Sequence, residues 1–216
     1  MNERLRITAE LKTPIIMKGF LTFDALMGAL LFERYENVEK AHAEIPIRCE
    51  EGLYHASAAR VDDFERGSVS FIASLRADHD INPDLLLKNK AGTNTHRRMK
   101  RTKREAYGNV KNDYVTINTQ TIFWDVEGDY NQIHQLLQNA MFIGKKRTAG
   151  YGEIAEWKFK DGSNDGLLSS DNKPLRPIPV HLYKGDKTLP IVDAAWKPAY
   201  WNPENRAACY APEAIT

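Results

Sequence analysis

Two stretches of this chain repeat one pattern, an alternating apolar segment followed by a helix with a single apolar face. Leu5, Ile7, Ala9 and Leu11 alternate with Arg4, Arg6, Thr8 and Glu10, the period of a half-buried strand. Phe23, Leu26, Met27, Leu30 and Leu31 then fall at i, i+3, i+4, i+7 and i+8, one stripe of an α-helix. The order returns later. Residues 114–126, rich in Val, Ile, Thr, Phe and Trp, read as a long strand with room for a bulge. Ile133, Leu136, Leu137, Ala140 and Met141 repeat the helical stripe. A one-sided strand and a one-sided helix must bury their apolar faces against each other. The expectation is therefore an α+β chain of one or two ferredoxin-like βαβ modules, with helices on one face of a sheet.

Local signals place the ends of these elements. Pro14 and Gly19 break the chain after the first strand. Thr22 is positioned to cap the first helix, and Asp24 lies in its first turn, where the helix dipole favours a carboxylate. Residues 54–61 and 68–75 read as strands, with Asp62-Asp63 and Arg66-Gly67 as turn chemistry between them. Asp129, with Gln132 three residues on, resembles a capping box for the second helix, and Gly144 is placed to end it. A last strand covers residues 153–159. The expected organisation is an N-terminal half (1–86), a charged insertion (87–112), a second half (113–160) and a loop-rich C-terminal lobe (161–216). In that lobe 180–183 is a strand candidate.

Composition excludes several classes. At 216 residues, with 42% apolar and 27% charged residues, the chain is long and apolar enough for a packed core. Thirty basic residues against 29 acidic ones argue against a uniformly cationic binder, so the local distribution of charge matters more than the total. Cys49 and Cys209 have no CxxC spacing and read as free thiols rather than zinc ligands. No apolar run is long enough to span a membrane and no signal peptide opens the chain, so a cytoplasmic protein is expected.

The first candidate site is the run Gly144, Lys145, Lys146, Arg147, Thr148, Ala149, Gly150, Tyr151, Gly152, between the second helix and the last strand. Its glycines permit tight turns and close approach of backbone to a ligand. Backbone N–H groups in such a loop can donate to phosphate oxygens, three cations supply counter-charge, and Tyr151 can stack on a base. The run follows a helix and lacks the spacing of a Walker A or Rossmann loop. A solvated basic turn has the same composition. The second candidate lies in the insertion. Arg97, Arg98, Lys100, Arg101, Lys103 and Arg104 make six of the eight residues 97–104 basic, a density that calls for a polyanion or for solvent.

Catalytic signatures such as GxSxG and HExxH are absent, and no cofactor or metal is expected. Metal-independent RNA cleavage needs a general acid and base, for which His96 in the insertion and His134 in the second helix are weak candidates, with Tyr151 or a lysine assisting. Trp196, Tyr200, Trp201 and Tyr210, with Pro198 and Pro203, form an aromatic cluster suited to packing or to a stacking surface.

The segment 21–30 after the first strand and the run 142–154 around the glycines together resemble the RAMP superfamily of CRISPR-associated proteins. The nearest likeness is to the type IV effector backbone subunit of the Cas-five type. The resemblance implies a ferredoxin-like or RRM-like RAMP fold, in which 87–112 is a thumb-like insertion and 144–152 the family's G-loop. It further implies a non-catalytic subunit that binds the 5′ handle of the CRISPR RNA (crRNA). Implied partners are a helical backbone subunit, a large subunit and an RNA-processing subunit, with target DNA and a helicase beyond them. The rival expectations are an endoribonuclease that matures repeat RNA, and a subunit contacting duplex DNA through 97–104.

Overall fold

The computed structural model describes residues 2–73 and 110–212. Chain contacts divide the protein into two compact units, Met1–Gly67 with Thr116–Thr216, and Ser68–Val115.

The first unit is built around β1 (Asn2–Leu11), which lies between β6 (Thr121–Asp129) and β7 (Ile154–Asp161), antiparallel to both. The alternation read in the sequence explains the register. Leu5, Ile7 and Ala9 stand opposite Val126, Trp124 and Ile122, and all six point to the buried face. Beneath them pack α1 (Phe23–Tyr35), through Phe23, Leu26, Met27 and Leu31, and α3 (Tyr130–Leu137), through Ile133 and Leu137. Full burial of each such side chain stabilises by roughly 1.5–3 kcal/mol relative to exposure. Trp124, wholly buried, donates its indole N–H to the Leu21 carbonyl at 3.0 Å, so its polar atom is satisfied inside the core.

A broken fourth strand runs along the outer edge of β6. The chain passes through α2 (Val38–Ala43) and a tight hairpin of β2 (Cys49–Glu50) and β3 (Leu53–Tyr54). It then bridges β6 antiparallel at Ala56↔Val126 and Arg60↔Phe123. Residues 54–61, expected as a regular strand, therefore pair only at alternate points. Ala58 bridges Thr22 instead, on the other side of the segment. The run Ala56-Ser57-Ala58-Ala59 lacks the branched side chains that favour a continuous ladder.

The two sequence-read halves do not form separate modules, because β1 of the first sits between two strands of the second. The long strand expected over 114–126 is two strands. β5 (Val110–Asn118) ends before a turn at Thr119–Gln120, where the Thr119 hydroxyl donates to the Thr121 carbonyl, and β6 begins after it. The capping box is present in part: the Asp129 carboxylate accepts from the Gln132 amide at 3.0 Å. Helix α3 stops at Leu137, so Ala140 and Met141 lie beyond it and Gly144 is not its terminator.

After β7 the chain crosses the face of the sheet opposite the helices. Gly162 donates its N–H to the Arg4 carbonyl, and a Cβ there would come within 2.7 Å of the Leu5 backbone. Asn164 donates to Asp125 at 2.7 Å. Gly166, at φ +84°, lies so close to Ala56 and Asp125 that a Cβ would meet their backbone at 2.7 Å. These glycines let a strap of chain lie flat on strands. The lobe beyond has its own sheet, β8 (Ile178–Pro179), β10 (Arg206–Tyr210) and β9 (Ile191–Ala195) in that spatial order. Leu53, Ile178, Tyr183 and Tyr210 form a second small core beside it. The strand expected over 180–183 is a turn at 180–182, with the Val180 amide still donating to the Ala208 carbonyl at 3.0 Å.

β4 (Glu65–Ala73) pairs with β5, and the second unit holds their parts 68–73 and 110–115. Within it Ser70 donates to Asp113 at 2.5 Å, and Phe71 meets Tyr114 edge-on with ring centroids 5.8 Å apart. Arg66-Gly67, read as a turn, belongs to β4.

Candidate nucleic-acid interface

The basic run 144–152 forms a closed loop between two paired positions, Phe142 and Glu153. Its glycines have separate causes. Gly144, at φ +83°, sits where a Cβ would lie 2.6 Å from the Ile16 carbonyl oxygen. Gly152, at φ +70°, sits where a Cβ would lie 2.0 Å from the Ile143 carbonyl oxygen. Gly150, at φ +85°, faces open space and is required by its backbone angle alone. Lys146 also adopts the left-handed conformation, at φ +59°, and leads into a 3₁₀ turn over Arg147–Ala149.

The loop is braced from within and from the connector between β1 and α1. Lys145 donates its amide to the Ile16 carbonyl at 2.8 Å, and Gly152 donates to Pro14 at 2.9 Å. Ile143 donates to Gly152, Ala149 to Lys146 and Gly150 to Arg147. The sequence suggested a cradle of free amides for phosphate. The amides of Lys145, Ala149, Gly150 and Gly152 instead brace the loop and tie it to the connector, so its exposed side chains carry much of its outward chemistry. Lys145, Arg147 and Thr148 are exposed, while Lys146 and Tyr151 are half-buried. Arg147 reaches Glu33 of α1 at 3.4 Å. Both partners are about half exposed, and pairs of this kind contribute 0–1 kcal/mol, which leaves Arg147 able to exchange Glu33 for a phosphate.

His134 lies on α3 in an aromatic cluster, its ring centroid 5.6 Å from that of Tyr130 and 5.4 Å from that of Phe159. It is therefore a packing residue of the sheet edge and not part of the loop. His96 and Arg97, Arg98, Lys100, Arg101, Lys103 and Arg104 lie outside the described residues. Among the described residues no cluster of three or more His, Cys, Asp or Glu is arranged to hold a metal ion, and no helix is long and apolar enough to cross a membrane.

One charged cluster was not legible beforehand. On the sheet face opposite the helices, the wholly buried Asp125 accepts from Arg6 Nε at 2.9 Å, from Asn164 at 2.7 Å and from Arg60. Burial alone would push its pKa up, but Arg6, Asn164 and Arg60 outweigh that and hold it below the ordinary carboxylate value. Both guanidiniums also lie over the Phe123 ring, Arg60 at 4.8 Å and Arg6 at 5.1 Å from its centroid. The alternation of β1 places Arg6 on the wet face, but nothing in the sequence names partners 119 and 65 residues away.

The family model of the CRISPR type IV associated protein Csf3 matches residues 70–212, about two-thirds of the chain. The chain belongs to this family. No curated protein matches it. The matched span holds β6, α3, the basic loop, β7 and the C-terminal sheet, whereas β1 and α1 precede it. Membership assigns the protein a role in a type IV CRISPR system, with other subunits of such a system as its partners.

Proposed function

We propose that the protein is a non-catalytic RNA-binding subunit of a type IV CRISPR effector, of the Cas-five type, that holds the 5′ handle of the crRNA. The observation that carries this reading is the braced loop 144–152, whose exposed Lys145, Arg147 and Thr148 stand on a backbone fixed by its own hydrogen bonds and by Pro14 and Ile16. A rigid cationic loop meets a phosphate backbone with little ordering cost. The antiparallel order β7, β1, β6 and the broken edge strand, with α1 and α3 on one face, is the arrangement expected of a ferredoxin-like unit and supports that reading.

The test is a salt titration of handle RNA binding by the full chain. Lys145→Ala with Arg147→Ala removes two phosphate contacts, and the slope of log affinity against log salt falls by about 1.4. An unchanged affinity and slope would remove the loop from the interface. Repeat RNA incubated with the protein and EDTA stays intact; cleavage products would establish an enzyme instead.

A further inference from the structure

We propose that a cavity beside the connector between β1 and α1 is a subsite for one unstacked nucleobase of the bound RNA, an inference that rests on the RNA-binding reading above. The cavity holds about 350 Å³, and Phe20, Leu21, Arg60, Asp62 and Phe123 are among its walls. That volume lies at the small end of ligand sites.

Its chemistry is that of a base-stacking platform. Arg60 lies 4.8 Å from the Phe123 ring centroid and is tied to the buried Asp125, which Arg6 holds from its other oxygen at 2.9 Å. The guanidinium plane of Arg60 is thus oriented before a ligand arrives. Single-stranded RNA is recognised by stacking splayed bases on aromatic rings and Arg planes. Phe20, half-buried, supplies a second aromatic wall, and the exposed Asp62 offers an acceptor to amino groups on a base edge.

Its position joins it to the basic loop. The carbonyls of Pro14 and Ile16 anchor the amides of Gly152 and Lys145, and Met17, Gly19, Phe20 and Leu21 of the same connector line the cavity. Ile16 and Gly19 are three residues apart, so no more than about 11 Å separates them. One connector thus both braces the basic loop and walls the cavity.

The experiment measures fluorescence anisotropy of the full chain with two probes, a short 5′-labelled oligoadenylate and the same oligomer with abasic riboses. Phe20→Ala and Arg60→Lys keep the net cationic charge of the platform but remove a ring and a plane. Each is expected to weaken oligoadenylate binding roughly 5- to 150-fold, with the salt slope unchanged and the abasic oligomer unaffected. Circular dichroism confirms that both variants are folded. Wild-type affinity in both variants, or an equal loss for the abasic probe, overturns the subsite. Lys145→Ala with Arg147→Ala, run in parallel, separates the two claims. A lowered salt slope there with no effect of Phe20→Ala or Arg60→Lys sinks the subsite and keeps the loop. The reverse pattern sinks the loop and keeps the subsite. No binding of either probe by the wild type overturns both.

Discussion

Arg176 and Asp24, 152 residues apart in the chain, form a fully buried ion pair at 3.1 Å. Arg176 also donates to the carbonyls of Tyr54 at 2.6 Å and Trp196 at 2.7 Å, and to the Tyr200 hydroxyl at 2.8 Å. Tyr200 in turn donates to Asp24. Burial works against the charge on Arg176, but Asp24 and Tyr200 outweigh it and hold the guanidinium above its ordinary pKa. One side chain thus ties the first turn of α1 to the segment leading into the broken edge strand and to the C-terminal lobe.

Arg176→Met leaves Asp24 buried without its cation and is expected to destabilise by about 3–5 kcal/mol. Combining it with Asp24→Leu removes the orphaned charge, so the double variant is more stable than Arg176→Met alone. Urea denaturation of the three proteins checks both statements. A single variant within about 1 kcal/mol of wild type contradicts the role assigned to the pair.

Two loop glycines separate backbone strain from collision. Gly150→Ala meets open space and carries only the cost of a left-handed Ala, about 1–2 kcal/mol. Gly152→Ala adds a Cβ 2.0 Å from the Ile143 carbonyl oxygen, so its loss of thermal stability is larger. If RNA is held by side chains, Gly150→Ala keeps most of the wild-type affinity. Equal melting temperatures for the two variants would contradict the geometry of the loop.

Stability is expected to fall in acid, with Asp125 as one contributor. Its folded-state pKa is depressed below the unfolded value, so the folded protein releases this proton more readily than the unfolded chain does. Its contribution is complete above the unfolded value, near 3.9, and is lost as pH falls through the folded one. Urea midpoints measured from neutral pH down to about 3 should decline, and less steeply in Asp125→Asn. An identical slope in that variant would assign the acid sensitivity to other carboxylates.

The two thiols differ in reach. Cys49 is exposed, with partial burial raising its pKa as well, while Cys209 is buried and burial pushes its pKa up to about 11. Thiolate is the reactive form, so iodoacetamide at neutral pH labels Cys49 and spares Cys209 until denaturant is added. Mass mapping of the adducts reads this directly, and rapid native labelling of Cys209 would refute its burial.

Much of the framework was legible because it is periodic. The alternation of Leu5, Ile7 and Ala9 and the stripe of Phe23, Leu26, Met27 and Leu31 reappear as the buried faces of β1 and α1. Asp129 and Gln132 marked the start of α3 because a cap is a contact between near neighbours. The end of that helix does not follow its periodicity. The apolar spacing continues through Ala140 and Met141, yet Ala140 is buried beyond the last turn and Met141 is exposed. The split at Thr119–Gln120 was hidden because branched residues flank it on both sides.

The sequence alone determined the local elements, the clustering of basic residues at 144–152 and the family resemblance, since each depends on residues close together in the chain. Tertiary structure decided that β1 lies between β6 and β7, that Pro14 and Ile16 accept from the amides of Gly152 and Lys145, and that Arg6 and Arg60 converge on Asp125. Pairing across more than a hundred residues leaves no periodic trace, because register and charge matching arise only when the sheet closes and water is excluded between its partners.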